Sequence, residues 1–152
     1  MEQLREKIDL YGGIMETMGL SPLTAKIYIY LLLSPEPGAT FHELLHYFKA
    51  SKSAVSNALK LLQSTAMADS KTFDGQRKRY FYIDFKNSLN EEFIAQRFRI
   101  VSKLLEEIRV IRDLDDDFAD ELDRASLLYK MLLDELPVIL NKWRMAINEP
   151  KD

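Results

Sequence analysis

The chain has 152 residues, 47% hydrophobic and 30% charged, a composition that can bury one core but leaves no room for two full-sized domains. It has no cysteine, which excludes a disulfide framework, a thiolate metal site and a cysteine nucleophile. Net charge is −3, yet Lys49 to Tyr82 hold a local surplus of five positive charges, from Lys49, Lys52, Lys60, Lys71, Arg77, Lys78 and Arg79 against Asp69 and Asp74.

No stretch reaches the roughly 20 apolar residues of a membrane span. Residues Met1 to Leu10 mix charged and apolar side chains instead of reading as a secretory signal, so a cytoplasmic location and no membrane partner are expected. Leu4, Ile8, Tyr11, Met15 and Met18 recur at steps of four and three, which predicts a helix over residues 1–19 stopped by Gly19. Gly12 and Gly13 inside it each cost about 1 kcal/mol against alanine, so close approach of another helix is expected there. Ser21 as N-cap with Pro22 at the first helical position opens the next helix, which runs through Ala25, Ile27, Tyr28, Tyr30 and Leu31–Leu33.

Thr40 and Glu43 form a capping box, and Phe41, Leu44, Leu45 and Phe48 make the inner face of the helix it starts. Ser51 caps a third helix over residues 51–63, with Val55, Ala58, Leu59 and Leu62 turned inward. At 100° per residue the opposite face presents Ser53, Ser56, Asn57 and Lys60. A hairpin wing follows over residues 68–83: a strand from Met67 to Thr72, a turn at Phe73-Asp74-Gly75, and a basic strand from Arg77 to Ile83. This order predicts a mainly α fold with a small β-hairpin wing, a winged helix-turn-helix over residues 20–85. The segment from Gly19 to Tyr82 resembles MarR-type regulators and, more narrowly, their GbsR-like branch. The residues that carry the resemblance are Ser51-Lys52-Ser53-Ala54-Val55-Ser56-Asn57-Ala58-Leu59-Lys60-Leu61-Leu62 and Gly75-Gln76-Arg77-Lys78-Arg79-Tyr80-Phe81. It departs from the family at Ser64-Thr65-Ala66, where such proteins carry a glycine; a left-handed C-cap without one costs about 1 kcal/mol, so a different helix end is expected.

Double-stranded DNA is the expected partner, because a major groove about 12 Å wide admits one helix and displays the full donor and acceptor code. Ser53, Ser56 and Asn57 are candidates for base edges, with Asn57 suited to a bidentate contact with adenine; Lys52 and Lys60 suit phosphates, and Arg77, Lys78 and Arg79 the backbone or minor groove. For the serines, plain surface solubility is the competing account, and Tyr80 and Tyr82 read as packing residues.

The run His42-Glu43-Leu44-Leu45-His46 also matches the H-E-x-x-H pattern of zinc peptidases. These are the only two histidines, and Glu43 is accounted for by its cap, so no enzyme, metal site or cofactor is expected. A winged helix used purely for protein assembly remains the competing class.

Beyond Asp84, Ser88 and Glu91 read as a capping box for a helix of roughly 25 residues, about 37 Å long, striped by Phe93, Ile94, Phe98, Val101, Leu104, Leu105, Ile108 and Ile111. Asp113, Asp115–Asp117, Asp120, Glu121 and Asp123 read as a solvated acidic run. A second pattern follows through Phe118, Leu122, Leu127, Leu128, Met131, Leu132, Leu136, Ile139, Leu140, Trp143 and Ile147, with a kink or break expected at Pro137. Residues 1–19 and 86–148 therefore present more apolar surface than one wing domain covers, which points to flanking dimerisation helices and a homodimer, with residues 149–152 as a tail. The MarR resemblance implies the same plan, with a small-molecule effector. The GbsR-like resemblance implies a choline-type quaternary ammonium compound, for which Tyr129 and Trp143, with Phe98 and Phe118 as neighbours, offer aromatic faces. These aromatics also fit ordinary core stripes, the reading that the dominance of aromatic residues in cores favours.

Overall fold

In the computed structural model, which describes residues 2–148, helix α2 (Pro22–Leu33) is apolar on most of its circumference and its middle is largely buried, Lys26 being its one charged residue. Ala25, Ile27, Ile29 and Leu31 are all buried, because α2 is packed by α1 (Glu2–Glu16) and by α4 (Lys52–Ser64). Ser21 stands at its N-cap as expected, but its hydroxyl contacts Thr24 Oγ1 at 2.8 Å instead of a backbone amide. Ile8 and Gly12 are the buried residues of α1. A Cβ on Gly12 would lie 2.8 Å from Lys26 Cγ, whose ammonium pairs with Asp9 at 2.8 Å, so this glycine does mark a close approach. Gly13 faces open space, and the expectation fails there.

Strand β1 (Ala39–Thr40) leads directly into α3 (Phe41–Phe48), and β2 (Asp69–Thr72) and β3 (Arg79–Tyr82) complete an antiparallel sheet in the order β1-β3-β2. Gly38, at φ +112°, permits the entry to β1: any Cβ there would collide with the Phe81 carbonyl. The core joins Ile27 and Leu31 of α2, Ala39 of β1, Leu44 of α3, Val55, Ala58, Leu59 and Leu62 of α4, Ala68, and Phe81 of β3. Each fully buried aliphatic side chain of this size contributes roughly 1.5–3 kcal/mol. The short α5 (Phe85–Ser88) follows, and the chain divides into two compact units between Ser88 and Leu89. The helix expected over residues 1–19 packs on α2 in the first unit.

The second unit is a hairpin of α6 (Glu91–Arg112) and α7 (Asp117–Asn148). Ser88 does not cap α6, because it is the last residue of α5 and its hydroxyl turns back to the Phe85 carbonyl at 3.4 Å. Asn90 takes the role, its side chain accepting from the Phe93 amide at 3.2 Å. Nor does Pro137 break the last helix: α7 continues through it, although proline has no N–H for the helical hydrogen bond at that position. Small residues sit where the helices meet, with the Ser102 and Ser126 hydroxyls buried and 3.3 Å apart. At the turn, Asp116 is more than a solvated acid. It accepts from the Ala119 amide at 2.8 Å, capping α7, and from Arg112 at 2.7 Å, while Arg109 reaches Asp123 at 3.4 Å. The 149–152 tail lies outside the described residues.

Candidate nucleic-acid interface

The turn between α3 and α4 is made tight by Lys49, which ends α3 in the left-handed conformation at φ +49°. Ser51 then caps α4 by accepting from the Ala54 amide at 3.2 Å; its hydroxyl also lies 3.2 Å from that of Ser53. With Val55, Ala58, Leu59 and Leu62 buried, the other face of α4 turns outward: Lys52, Ser53, Asn57 and Lys60 are exposed, and Ser56 is half-buried. Helix α4 ends in a Schellman motif. The Met67 amide bonds the Leu62 carbonyl at 2.8 Å and the Ala66 amide that of Gln63 at 3.0 Å. Ala66 adopts φ +55°, so the left-handed end forms without glycine, held by burial of the alanine against the core.

The wing differs from the hairpin that the sequence predicts, in which the turn spans residues 73–75 and the second strand begins at Arg77. Pairing runs from Asp69↔Tyr82 to Thr72↔Arg79 and stops, leaving residues 73–78 as a loop that contains Arg77 and Lys78; Arg79 alone of the three basic residues lies in a strand. Within the loop the Gln76 amide bonds the Phe73 carbonyl at 3.0 Å, and of the turn residues only Gly75 has positive φ, at +76°. A two-residue type I′ turn needs two such residues, which is why the loop is longer. Arg77, Lys78 and Arg79 are all exposed. Lys71 is half-buried, with its ammonium 4.5 Å from the centroid of the Tyr82 ring, and Tyr80 packs edge-on to Phe73 at 5.8 Å.

Between α4 and β3 lies a groove of about 320 Å³ lined by Phe41, Ser56, Leu59, Lys60, Gln63, Arg79 and Phe81. It brings Ser56, Lys60 and Arg79 together, whereas Arg77 and Lys78 stand apart from it in the loop. Gln63, which the periodicity of α4 did not single out, joins the two elements: its Nε2 donates to Ser70 Oγ of β2 at 3.2 Å.

The other motifs fall elsewhere. His42 and His46 are exposed on α3, and the Glu43 carboxylate accepts from the Thr40 amide at 2.7 Å and its hydroxyl at 2.9 Å, completing the capping box. In the second unit Tyr129 tilts against Phe98 at 6.0 Å, and Phe118 carries the Arg112 guanidinium at 4.6 Å. Trp143 stands 14 residues beyond Tyr129 on α7, about 21 Å along the helix axis, so one chain does not bring these two rings together.

No protein-family profile and no curated relative matches the chain. Among solved structures, one described as a transcriptional regulator superposes with a TM-score of 0.75 at 18% identity, over 94% of this chain and 99% of the other. Staphylococcus aureus MepR, a transcription regulator of the multidrug efflux pump MepA, aligns with a TM-score of 0.44 at 18% identity, over 86% of this chain and 89% of its own. The same protein in a MepR–DNA complex gives 0.44 at 14% identity, over 86% and 92%. The first likeness shows the fold: a mainly helical winged-helix arrangement with a small antiparallel sheet and flanking helices. No helix among the described residues is long and apolar enough to cross a membrane.

Proposed function

We propose that this chain is a non-enzymatic, cytoplasmic transcriptional regulator of the MarR type, within its GbsR-like branch, which binds double-stranded DNA as a homodimer and represses. The observation that carries the reading is a set of cations without intramolecular partners. Lys52, Lys60, Arg77, Lys78 and Arg79 are exposed, and none pairs with a carboxylate among the described residues. In α6 and α7 most cations do pair: Arg99, Lys103, Arg109, Arg112, Lys130 and Arg144 each meet a carboxylate, while among the described residues Arg124 and Lys142 do not. Unpaired cations on a polar-faced helix and its adjoining wing are available to phosphates, and each phosphate contact releases a counterion.

In this reading α4 enters the major groove, with Asn57 and the serines toward base edges and Lys52 and Lys60 toward phosphates. The wing arginines meet the flanking backbone or minor groove. The second copy covers the apolar side chains left in water: Leu10 of α1 and Met18 in the turn after it are 63% and 75% exposed, and Val110 and Ile111 of α6 are 76% and 81% exposed. Twofold pairing sets two recognition helices one helical turn of DNA apart, about 34 Å. A small-molecule effector belongs to the same reading; because Tyr129 and Trp143 are separated along α7, an aromatic cage for a quaternary ammonium ion would need rings from both copies.

The test is a gel shift on duplex DNA across a salt series, with sedimentation of the free protein alongside. Affinity that falls linearly with salt on logarithmic axes, and a dimer at micromolar concentration, are expected. No shift at low salt would overturn DNA binding, and a monomer would overturn the dimer.

A further inference from the structure

We propose that His42 and His46 form a two-imidazole chelate for a divalent transition-metal ion on the exposed face of α3, a site independent of the DNA-binding reading. The two histidines are separated by one helical turn, which puts their Cβ atoms roughly 5–6 Å apart on one side of the helix. Both are exposed, and neither ring has a hydrogen bond or ion pair with a described residue, so no competing contact has to be broken before a metal is bound.

The turn that carries them is already rigid. Leu44, between them, is completely buried in the core; the Thr40–Glu43 capping box fixes the start of α3, and the left-handed Lys49 fixes its end. The backbone spacing of the ligands is therefore set before the ion arrives, and binding orders only the two rings.

Neutral imidazole selects borderline ions such as Ni²⁺, Cu²⁺ and Zn²⁺ over Ca²⁺ and Mg²⁺, which demand oxygen ligands. Glu43 does not serve as a third ligand or as a peptidase base, because its carboxylate is held by the Thr40 amide and hydroxyl. Among the described residues no group of three or more His, Cys, Asp or Glu side chains converges on a metal position. Water thus completes the coordination sphere, and the ion is exchangeable, not structural.

Calorimetric titration of the intact protein with Ni²⁺ and Zn²⁺ tests this. One ion per chain is expected, with micromolar affinity and tighter binding of Cu²⁺ in a parallel titration. Either His42→Ala or His46→Ala should weaken binding at least about tenfold by removing half the chelate. Circular dichroism should show both variants folded, because both side chains are exposed and neither has a hydrogen bond or ion pair with a described residue. Absence of Ni²⁺ binding up to about 1 mM would overturn the proposal. So would binding that survives the double substitution, or that depends on only one of the two histidines.

Discussion

Gln63 and Ser70 connect the last turn of α4 to β2 through a 3.2 Å hydrogen bond between their side chains, a direct tie between that helix and the small sheet. The bond is partly buried and bridges the two elements that, in the proposed function, must reach DNA together. A single neutral bond of this kind contributes about 0.5–1.5 kcal/mol. Gln63→Ala should therefore lower stability by no more than that amount while reducing DNA affinity several-fold, as measured by fluorescence anisotropy on a fixed duplex. Unchanged affinity alongside the stability loss would show that the tie has no part in DNA binding.

Asn57 and the wing arginines should separate in their effects. Asn57→Ala is expected to relax sequence preference, because an amide reads a base edge, whereas Arg77→Ala or Arg79→Ala should weaken binding across sequences and lower the salt slope by about 1 where the arginine meets a phosphate. Site selection from a random pool, repeated on each variant, reads both quantities. If Asn57→Ala changes neither preference nor affinity, α4 does not occupy the groove as described.

Two glycines should respond to alanine with opposite signs. Gly38 combines φ +112° with backbone contact to Phe81, so Gly38→Ala should cost at least about 2 kcal/mol by displacing β1 from β3. Gly13 lies exposed within α1 with nothing near its missing Cβ, and Gly13→Ala should stabilise by up to about 1 kcal/mol through helix propensity. Thermal denaturation of the two variants side by side distinguishes them; equal shifts would refute the assignment.

Asp116 predicts a pH dependence. The Ala119 amide, and then Arg112, hold its carboxyl below the ordinary value of 3.8. A depressed folded pKa means a contribution fully present above the unfolded value and lost as pH falls through the folded one. The α6–α7 hairpin should accordingly loosen in acid, and Asp116→Asn, which keeps a capping acceptor but has no charge to lose, should flatten that part of the profile. Melting curves taken from roughly pH 5 to pH 2 measure this. A profile that Asp116→Asn leaves unaltered would count against the cap as its source.

Two features of the interface could be read directly from the order of residues. The Thr40–Glu43 box and the Ser51 cap act over three residues, so the starts of α3 and α4 are local events, and the outward set Lys52, Ser53, Asn57 and Lys60 follows from helical period once α4 is placed. Other features were decided only by distant partners. β1 is two residues long and exists because Ala39 and Thr40 pair with Phe81 and Tyr80, a contact no local pattern encodes. The left-handed Ala66 is tolerated because the core buries it, while propensity alone argues against it. The wing loop over residues 73–78 is set by where the β2–β3 ladder stops. Bonds that close within a few residues are written in the sequence itself, whereas those that join segments far apart in the chain depend on which surfaces the core brings together.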